Sequence, residues 1–206
     1  MGQKYTITMT TITTQRLRLE PFNNKHFEDL YYLNNDMDVM RYITGRKVSI
    51  DETLEHIQLV QKNWKELGFS SWSIFELNTN EFIGSGGLQY IEFNPVNPIE
   101  IGWRLKKSKW HHGFASEAAQ CMMRFAFDNI DIDTLYAICH QENKRSEGVM
   151  RRIGMQYHGL EKWYGIDARV YQIGRGQYQP HNLQSICSVA QIQFNRFTSN
   201  AGNYGI

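Results

Sequence analysis

A glycine stands at the start of a predicted helix in residues 110–118. The segment reads Trp-His-His-Gly-Phe-Ala-Ser-Glu-Ala, and small or apolar residues recur at helical spacing from Ala115 to Ala126. A glycine at the mouth of a helix lets the backbone turn tightly and approach a ligand closely. The first-turn N–H groups lack partners within the helix, and the helix dipole adds positive character there. The segment could therefore bind an anion such as a pyrophosphate.

Three lysines lie just upstream and could add positive charge to such a site: Lys106, Lys107 and Lys109. The simpler interpretation is that Gly113 only lets a loop enter a helix and that the lysines are solvated. Taken alone, a glycine at a helix start is a weak indication of phosphate binding.

Other clusters of reactive residue types indicate less. His111, His112, His140 and Cys139 carry metal-ligating groups, but adjacent histidines on a loop rarely bind one ion together, and no carboxylate follows at a known spacing. We therefore predict no metal site. The glycines within residues 84–87 lie in a strand pattern and precede no helix, which favours a β-bulge over a dinucleotide-binding turn.

The composition is that of an ordinary single domain. The chain has 206 residues, 22 of them basic and 21 acidic, with a formal net charge of +1. This balance indicates no nucleic-acid partner, and no apolar run approaches the ~18 residues of a membrane span. The N-terminus lacks the apolar core of a secretory signal, and the three cysteines are too scattered for a disulfide framework. We expect a cytoplasmic protein.

The elements around the glycine predict a mixed α/β fold. Residues 15–21 alternate as a strand, and residues 49–67 carry an apolar face at helical spacing. Residues 72–77 and 82–91 form a predicted hairpin, and Ile99–Leu105 is a strand that leads to the glycine. Strand, helix, strand and strand follow the glycine helix. This order predicts a mostly antiparallel central sheet with flanking helices and a crossover near its middle.

Three segments are predicted along the chain. Residues 1–11 are polar and threonine-rich, which favours a flexible leader. Residues 12–174 form the domain. Residues 175–206 are rich in Gln, Asn, Ser and Gly, which favours a polar extension outside the core, with a short helix at residues 186–197.

Four segments in the same order resemble one family. Residues 110–118 resemble an acyl-CoA signature, Arg/Gln-x-x-Gly-x-Gly/Ala, which one branch writes as Trp-x-x-Gly-Tyr/Phe-Ala-x-Glu-Ala. Residues 14–19 resemble the first strand of that family, residues 99–103 the strand before the signature, and residues 143–155 its Asn-x-x-Ser helix. The chain thus resembles the GCN5-related N-acetyltransferase (GNAT) superfamily, most closely the branch of ribosomal-protein N-terminal acetyltransferases.

This resemblance implies that acetyl-CoA lies in a wedge between two central strands that splay apart, Ile99–Leu105 and residues 135–140. Main-chain amides would hold the pyrophosphate, and the pantetheine arm would pair with the first of these strands. Asn143 and Ser146 match positions that contact the cofactor, although Asn143 also suits helix capping. The residues implied for cofactor binding are Trp103, Arg104, Leu105, Trp110, His111, His112, Gly113, Phe114, Ala115, Ser116, Asn143 and Ser146.

The resemblance also implies a base, because amines with pKa values of about 8 to 10 are mostly protonated at neutral pH. Glu100 is the candidate, since it projects from the face of its strand opposite to Ile101. Its alternative role is an ion pair with Arg104, two pleats further along the same face.

An acid that protonates the departing thiolate is harder to assign. Many relatives use a tyrosine of the last helix, but Met150 stands at about that position. Ser146 is a substitute candidate, and Tyr164 and Tyr171 are further ones.

The implied reaction is direct acetyl transfer, in a ternary complex, to a primary amine of a small molecule or a protein N-terminus. Residues 37–48 and 157–167 would form the acceptor site. The alternative function is a catalytically silent acyl-CoA-binding sensor or scaffold of the same fold, and a third is an interaction protein that acts through its polar extension. We expect a monomer or homodimer, with no nucleic-acid or membrane partner.

Overall fold

The computed structural model describes residues 4–179 and 187–197, with side chains described for residues 9–179 and 187–190. The α-helices in this part of the chain are α1 (Phe27–Asn35), α2 (Met37–Met40), α3 (Ile50–Glu66), α4 (Phe114–Asn129) and α5 (Lys144–Arg152). None of these helices combines the length and apolar character needed to cross a membrane.

The strands form one mixed sheet. In the described residues they are β1 (Lys4–Thr14), β2 (Leu17–Pro21), β3 (Ser71–Glu76), β4 (Phe82–Tyr90), β5 (Ile99–Leu105), β6 (Thr134–His140), β7 (Gln156–Trp163), β8 (Ile166–Gly174) and β9 (Cys187–Phe197). Their spatial order is β7-β8-β6-β5-β4-β3-β2-β1-β9. Only β5 and β6 run parallel, because α4 carries the chain from one to the other. The predicted mixed, mostly antiparallel α/β architecture is confirmed.

β5 and β6 separate soon after they meet. They pair at a single register position, Glu100 with Tyr136, whereas β4 and β5 pair at seven. β6 pairs along its whole length with β8 instead. Beyond Glu100, one edge of β5 therefore has no strand partner in the described chain, and such an edge can pair with an extended ligand. This is the splayed central strand pair that the family resemblance implies.

Different helices cover the two faces of the sheet. α4 packs on one face, where a Cβ on Gly86 would lie 2.7 Å from Met122 Cε, so that a larger residue would displace that side chain. Side chains alternate along a strand. Ser85 and its register partner Arg104 therefore point to the opposite face, and so does Glu100.

The opposite face lies below α1. His26, which directly precedes α1, is hydrogen-bonded through Nδ1 to the Ser73 hydroxyl at 2.9 Å. Ser73 pairs with Ser85, which places it on the same face as Glu100. Within β3 and β4 the register shifts between Ile74 and Phe75, and this irregularity is the β-bulge predicted from the glycines of β4.

The chain ends differ from the expectation. β1 pairs with β9 at eleven register positions, from Lys4 with Phe197 to Thr14 with Cys187. The predicted flexible leader is therefore a sheet strand from Lys4 onward, and the helix predicted at residues 186–197 is wrong. β1 is rich in Thr and Ile, and the sequence of β9 alternates between polar and apolar residues, which are features of strands. Residues 180–186 and 198–206 of the predicted extension lie outside the described residues.

Candidate functional site

A cavity of about 650 Å³ opens beside the end of β5, the start of α4 and the first turns of α5. Every residue predicted to bind the cofactor lines this first cavity except His112. The His112 ring stacks on Phe114, and its carbonyl oxygen accepts a hydrogen bond from Arg16 Nη1 at 3.0 Å. The fold thus gathers three separate parts of the sequence, β5, the glycine turn and α5, around one space.

The first amides of α4 are not used in hydrogen bonds within the described protein. Gly113 caps the helix with a φ of 81°, a left-handed conformation that most other residues avoid. The first α-helical bond runs from the Glu117 amide to the Gly113 carbonyl at 3.1 Å. In the described chain no side chain or backbone oxygen accepts a hydrogen bond from the amides of Phe114, Ala115 or Ser116. The helix start is therefore free to bind an anion.

A set of contacts from the first strands holds this glycine turn in place. Arg16 Nε donates a hydrogen bond to Glu117 Oε2 at 2.7 Å, and the Arg16 amide donates to Glu117 Oε1 at 3.0 Å. The Thr14 hydroxyl also donates to Glu117, and the Arg16 guanidinium lies 4.6 Å from the centre of the Phe114 ring. The sequence carries no local signal for this clamp, because its two sides are 101 residues apart.

The upstream lysines supply no free charge to the first cavity. Lys106 and Lys109 both pair with Glu81, at 3.3 and 2.8 Å, and Lys107 pairs with Asp38 at 2.6 Å. The expectation that they add positive charge to the anion site is wrong, because a carboxylate already compensates each ammonium group.

Two arginines of α5 line the cavity instead. Arg152 Nη1 donates a hydrogen bond to the Ser116 hydroxyl at 2.9 Å, and the Arg145 guanidinium lies 4.5 Å from the centre of the Trp110 ring. Arg152 therefore lies beside the first turn of α4, and Arg145 lies over the loop that leads into it. Their positive charge would add to that of the helix start.

A second cavity, of about 440 Å³, adjoins the first. The two cavities share six lining residues, so they meet beyond the point where β5 leaves β6: Tyr42, Ile43, Trp103, Arg104, Asn143 and Ser146. The second cavity extends over the sheet face that carries Glu100. It is also lined by side chains from both segments predicted for the acceptor, residues 37–48 and 157–167.

Glu100 lies in this second cavity and is only 7% exposed. Its Oε1 accepts a hydrogen bond from Gln89 Nε2 at 2.9 Å and a short one from the Tyr164 hydroxyl. The predicted alternative, an ion pair between Glu100 and Arg104, does not form. Burial raises the pKa of Glu100 from its usual value, although the hydrogen bonds from Tyr164 and Gln89 oppose the rise.

Tyr164 holds the Glu100 carboxylate from across the sheet. It lies at the turn between β7 and β8, and its hydroxyl oxygen accepts hydrogen bonds from Gln89 Nε2 at 3.1 Å and from the Glu92 amide at 3.0 Å. The Tyr164 amide donates to Glu92 Oε1 at 2.7 Å. Burial and the neighbouring Glu100 charge raise the pKa of the phenol above its usual range. Its one proton is directed at Glu100, so Tyr164 does not suit the role of thiolate acid.

Of the other positions considered for the acid, Met150 and Ser146 line the cavities and Tyr171 does not. Tyr171 lines neither cavity, because its hydroxyl is buried against Glu147, to which it donates at 2.8 Å. Met150 does line the second cavity, so the position where many relatives carry a tyrosine faces the site. The Ser146 amide donates to Asn143 Oδ1 at 3.2 Å, which caps α5 as expected and leaves the Ser146 side chain at the junction of the cavities.

The histidines and the cysteine considered as metal ligands do not form a cluster in the described structure. His140 stacks on Tyr42 with ring centres 5.3 Å apart, and its Nδ1 accepts a hydrogen bond from the Glu142 amide. Within residues 4–179 and 187–197, no group of three or more His, Cys, Asp or Glu side chains is arranged to bind a metal ion.

The sequence profile of the acetyltransferase (GNAT) domain matches residues 16–156, which is more than half of the chain. The chain belongs to the GNAT acetyltransferase family. An uncharacterized protein of Bacillus subtilis, YkkB, is 31% identical to this GNAT chain over 156 residues, which cover 75% of this chain and 90% of YkkB.

Solved structures share the fold of this GNAT domain. An acetyltransferase from Agrobacterium tumefaciens has a TM-score of 0.71 and 25% identity, over 80% of this chain and 94% of its own. RimL, a ribosomal L7/L12 α-N-protein acetyltransferase in complex with coenzyme A, has a TM-score of 0.66 and 24% identity, over 78% of this chain and 95% of its own. At that identity the likeness to RimL concerns the fold alone.

The first cavity of this GNAT domain fits a diphosphate carried on an extended arm. The open amides of α4 suit the diphosphate, and the free edge of β5 suits the arm. Gly148, in the middle of α5, also lines the cavity, and a Cβ there would approach no described protein atom closer than Arg152 Nη2 at 3.8 Å. Packing within the protein therefore does not require this glycine, whereas a ligand in the cavity would benefit from the space.

Proposed function

We propose that this GNAT protein is an N-acetyltransferase that moves the acetyl group of acetyl-CoA to a primary amine by direct attack within a ternary complex. The placement of Glu100 carries the proposal. This buried carboxylate stands at the residue where β5 leaves β6, in a cavity that opens into the one with the free helix start.

The first cavity would bind coenzyme A through the main chain. The amides of Phe114, Ala115 and Ser116 would hold the diphosphate, with Arg145 and Arg152 beside them, and the free edge of β5 would pair with the pantetheine arm. Acetyl-CoA supplies the acetyl thioester. An N–H of β5 near that thioester would stabilise negative charge on its oxygen.

Glu100 would act as the general base. The transfer forms a bond from the amine nitrogen to the acetyl carbon and breaks the bond from that carbon to sulfur, and the nitrogen loses one proton. Because burial raises the pKa of Glu100, its carboxylate is a stronger base than an exposed one and is better matched to operation near neutral pH. Gln89 and Tyr164 would keep the carboxylate oriented.

Ser146 would donate a hydrogen bond to the departing sulfur, and the thiolate would take its proton from solvent, while Glu100 keeps the proton removed from the amine. The Ser146 side chain lies at the junction of the two cavities, and the Asn143 cap fixes the start of its helix. The demand on this donor is modest, because a thiol with a pKa of about 8.5 leaves readily as the thiolate.

A thiol-release assay with acetyl-CoA and a panel of primary amines tests this function. We expect selective turnover of some amines by the wild type, and a loss of turnover in Glu100→Gln while the dissociation constant for coenzyme A, measured by calorimetry, stays within about twofold. Tight binding of coenzyme A without acetylation of any amine would instead favour the silent sensor or scaffold.

A further inference from the structure

The second cavity contains a positive charge that no carboxylate of the described residues pairs with. Arg104 lines this cavity, and its Nε is buried without a hydrogen-bond partner among the described residues. Burial lowers the pKa of Arg104 only to about 10, so the guanidinium is charged at neutral pH. A buried polar group without a partner is costly, and more so when it is charged, so a ligand that completes its hydrogen bonds is favoured.

The carboxylates of the same cavity are already engaged. Glu52 accepts hydrogen bonds from Arg46 Nη1 and Nη2 at 3.0 and 2.5 Å, and Glu100 is bonded to Gln89 and Tyr164 as described. The second arginine of the cavity, Arg46, is therefore neutralised, whereas Arg104 is not.

The other groups around Arg104 are polar but uncharged. Burial and the Arg104 charge lower the pKa of His56 to about 4, so its imidazole is neutral at pH 7. Asn34 Oδ1 is another buried atom in this cavity without a partner in the described chain. These two side chains leave the Arg104 charge uncompensated and offer further positions for a polar ligand.

Glu100 and Arg104 share one strand face, with Gly102 between them. Their Cα atoms are about 13 Å apart, since a strand rises ~3.3 Å per residue. A Cβ on Gly102 would meet no described protein atom within 4 Å, so the space between the two charges is open. A carboxylate at one end and a guanidinium at the other complement a ligand with an amine and an anionic group.

We infer that the acceptor is an amine that also carries a carboxylate, with the nitrogen at Glu100 and the carboxylate at Arg104. This inference rests on the proposed acetyltransferase function. Arg104 also lines the first cavity, but the phosphates of coenzyme A are not its expected partners, because the open amides of α4 and Arg152 beside Ser116 already offer hydrogen bonds to them. The Arg104 side chain points to the sheet face opposite α4.

The test compares ω-amino carboxylates of increasing length with their carboxamides, which differ from them only in charge. For at least one length we expect kcat/KM of the wild type to be about tenfold or more higher for the carboxylate. In Arg104→Met the ratio should fall to about one, chiefly through KM, and Arg104→Lys should restore part of it. Because β5 would contact coenzyme A through its main chain, the dissociation constant for coenzyme A should stay within about twofold in both variants.

Two controls separate binding from folding. Arg41 is exposed and lines neither cavity, so Arg41→Met should keep the full preference for carboxylates. Arg104→Met replaces a half-buried guanidinium, whose Nε has no described partner, with an apolar side chain, so its melting temperature should equal or exceed that of the wild type.

The outcomes distinguish this inference from the function on which it rests. Equal use of carboxylates and carboxamides by the wild type, or a preference that survives in Arg104→Met, overturns the inference and leaves the acetyltransferase standing. If no amine is acetylated, the proposed acetyltransferase function is overturned. The anion site is then tested separately, by titrating N-acetylated ω-amino carboxylates into the protein saturated with coenzyme A. Binding that requires both the carboxylate and Arg104 then supports the anion site, and its absence overturns it.

Discussion

The two adjoining cavities are built from different parts of the chain. The first presents main-chain groups, the amides that open α4 and the free edge of β5, and its shape depends on a conformation that Gly113 adopts. The second presents side chains from segments far apart in sequence, with Glu100 held by Tyr164 across 64 residues. Main-chain recognition tolerates substitution at neighbouring positions, whereas a side-chain site is lost or changed by single replacements. Chemistry and acceptor choice should therefore depend on the second cavity, and cofactor affinity on the first.

Among the predicted variants, Glu100→Gln should show the largest difference between the roles of the two cavities, because it should affect kcat but not the binding of coenzyme A. Removal of a general base lowers kcat by roughly 10²–10⁴-fold, and the amide still fills the same space beside Gln89 and Tyr164. The dissociation constant for coenzyme A should change by less than about twofold. Steady-state kinetics and calorimetry measure the two effects, and Glu142→Gln, outside both cavities, is the matched control. A parallel loss of cofactor affinity would contradict the division between the cavities.

The converse change is Gly113→Ala, which acts on the first cavity. A φ of 81° costs an alanine roughly 1–2 kcal/mol, so the helix start should shift and coenzyme A should bind about tenfold more weakly.

The control for this change is Gly68→Ala. Gly68 has a φ of 77° and no described protein atom within 4 Å of a built Cβ, and it lines neither cavity. Gly68→Ala should lower the melting temperature by about as much as Gly113→Ala does, but it should leave the affinity for coenzyme A unchanged. Equal affinities for Gly113→Ala and the wild type would argue against binding at the α4 amides.

A smaller effect, on pH dependence, is expected for Tyr164→Phe. The Tyr164 hydroxyl donates to the ionised form of Glu100, so its removal should raise the pKa of Glu100 further. Activity requires the carboxylate, which is lost as the pH falls through that pKa. The acidic limb of the kcat/KM profile should therefore move to higher pH, by about one unit for a charge-assisted hydrogen bond. If the acidic limb does not shift, either Glu100 is not the base or Tyr164 does not set its pKa. Tyr157→Phe serves as the control.

The smallest effect is expected for Gly148→Ala. Alanine stabilises a helix interior by about 1 kcal/mol relative to glycine, and no atom of the described residues obstructs the new methyl group. The melting temperature should rise by a few degrees, while coenzyme A should bind a few-fold more weakly because the methyl group enters the first cavity. Thermal melts and calorimetry measure both changes. Tighter binding of coenzyme A would show that the space at Gly148 serves another purpose.

The start of α4 and its open amides could be predicted because the signals for them are local. A run of nine residues, 110–118, contains the glycine, the helix start and the first-turn residues, and local backbone geometry decides what such a run does. The chain ends could not be predicted in the same way. β1 and β9 are stabilised by pairing with each other across most of the chain, and strand preference depends on such distant partners more than helix preference does.

The sequence by itself determined that Glu100 and Arg104 share one face of β5, since side chains alternate along any strand. It did not determine which of these charges is compensated. Only the tertiary structure brings Tyr164 to Glu100, leaves Arg104 Nε without a partner among the described residues, and pairs Lys106 and Lys109 with Glu81. The physical reason is that periodicity follows from bond geometry over a few residues. Charge compensation follows from distances through space, which exist only once the sheet has formed.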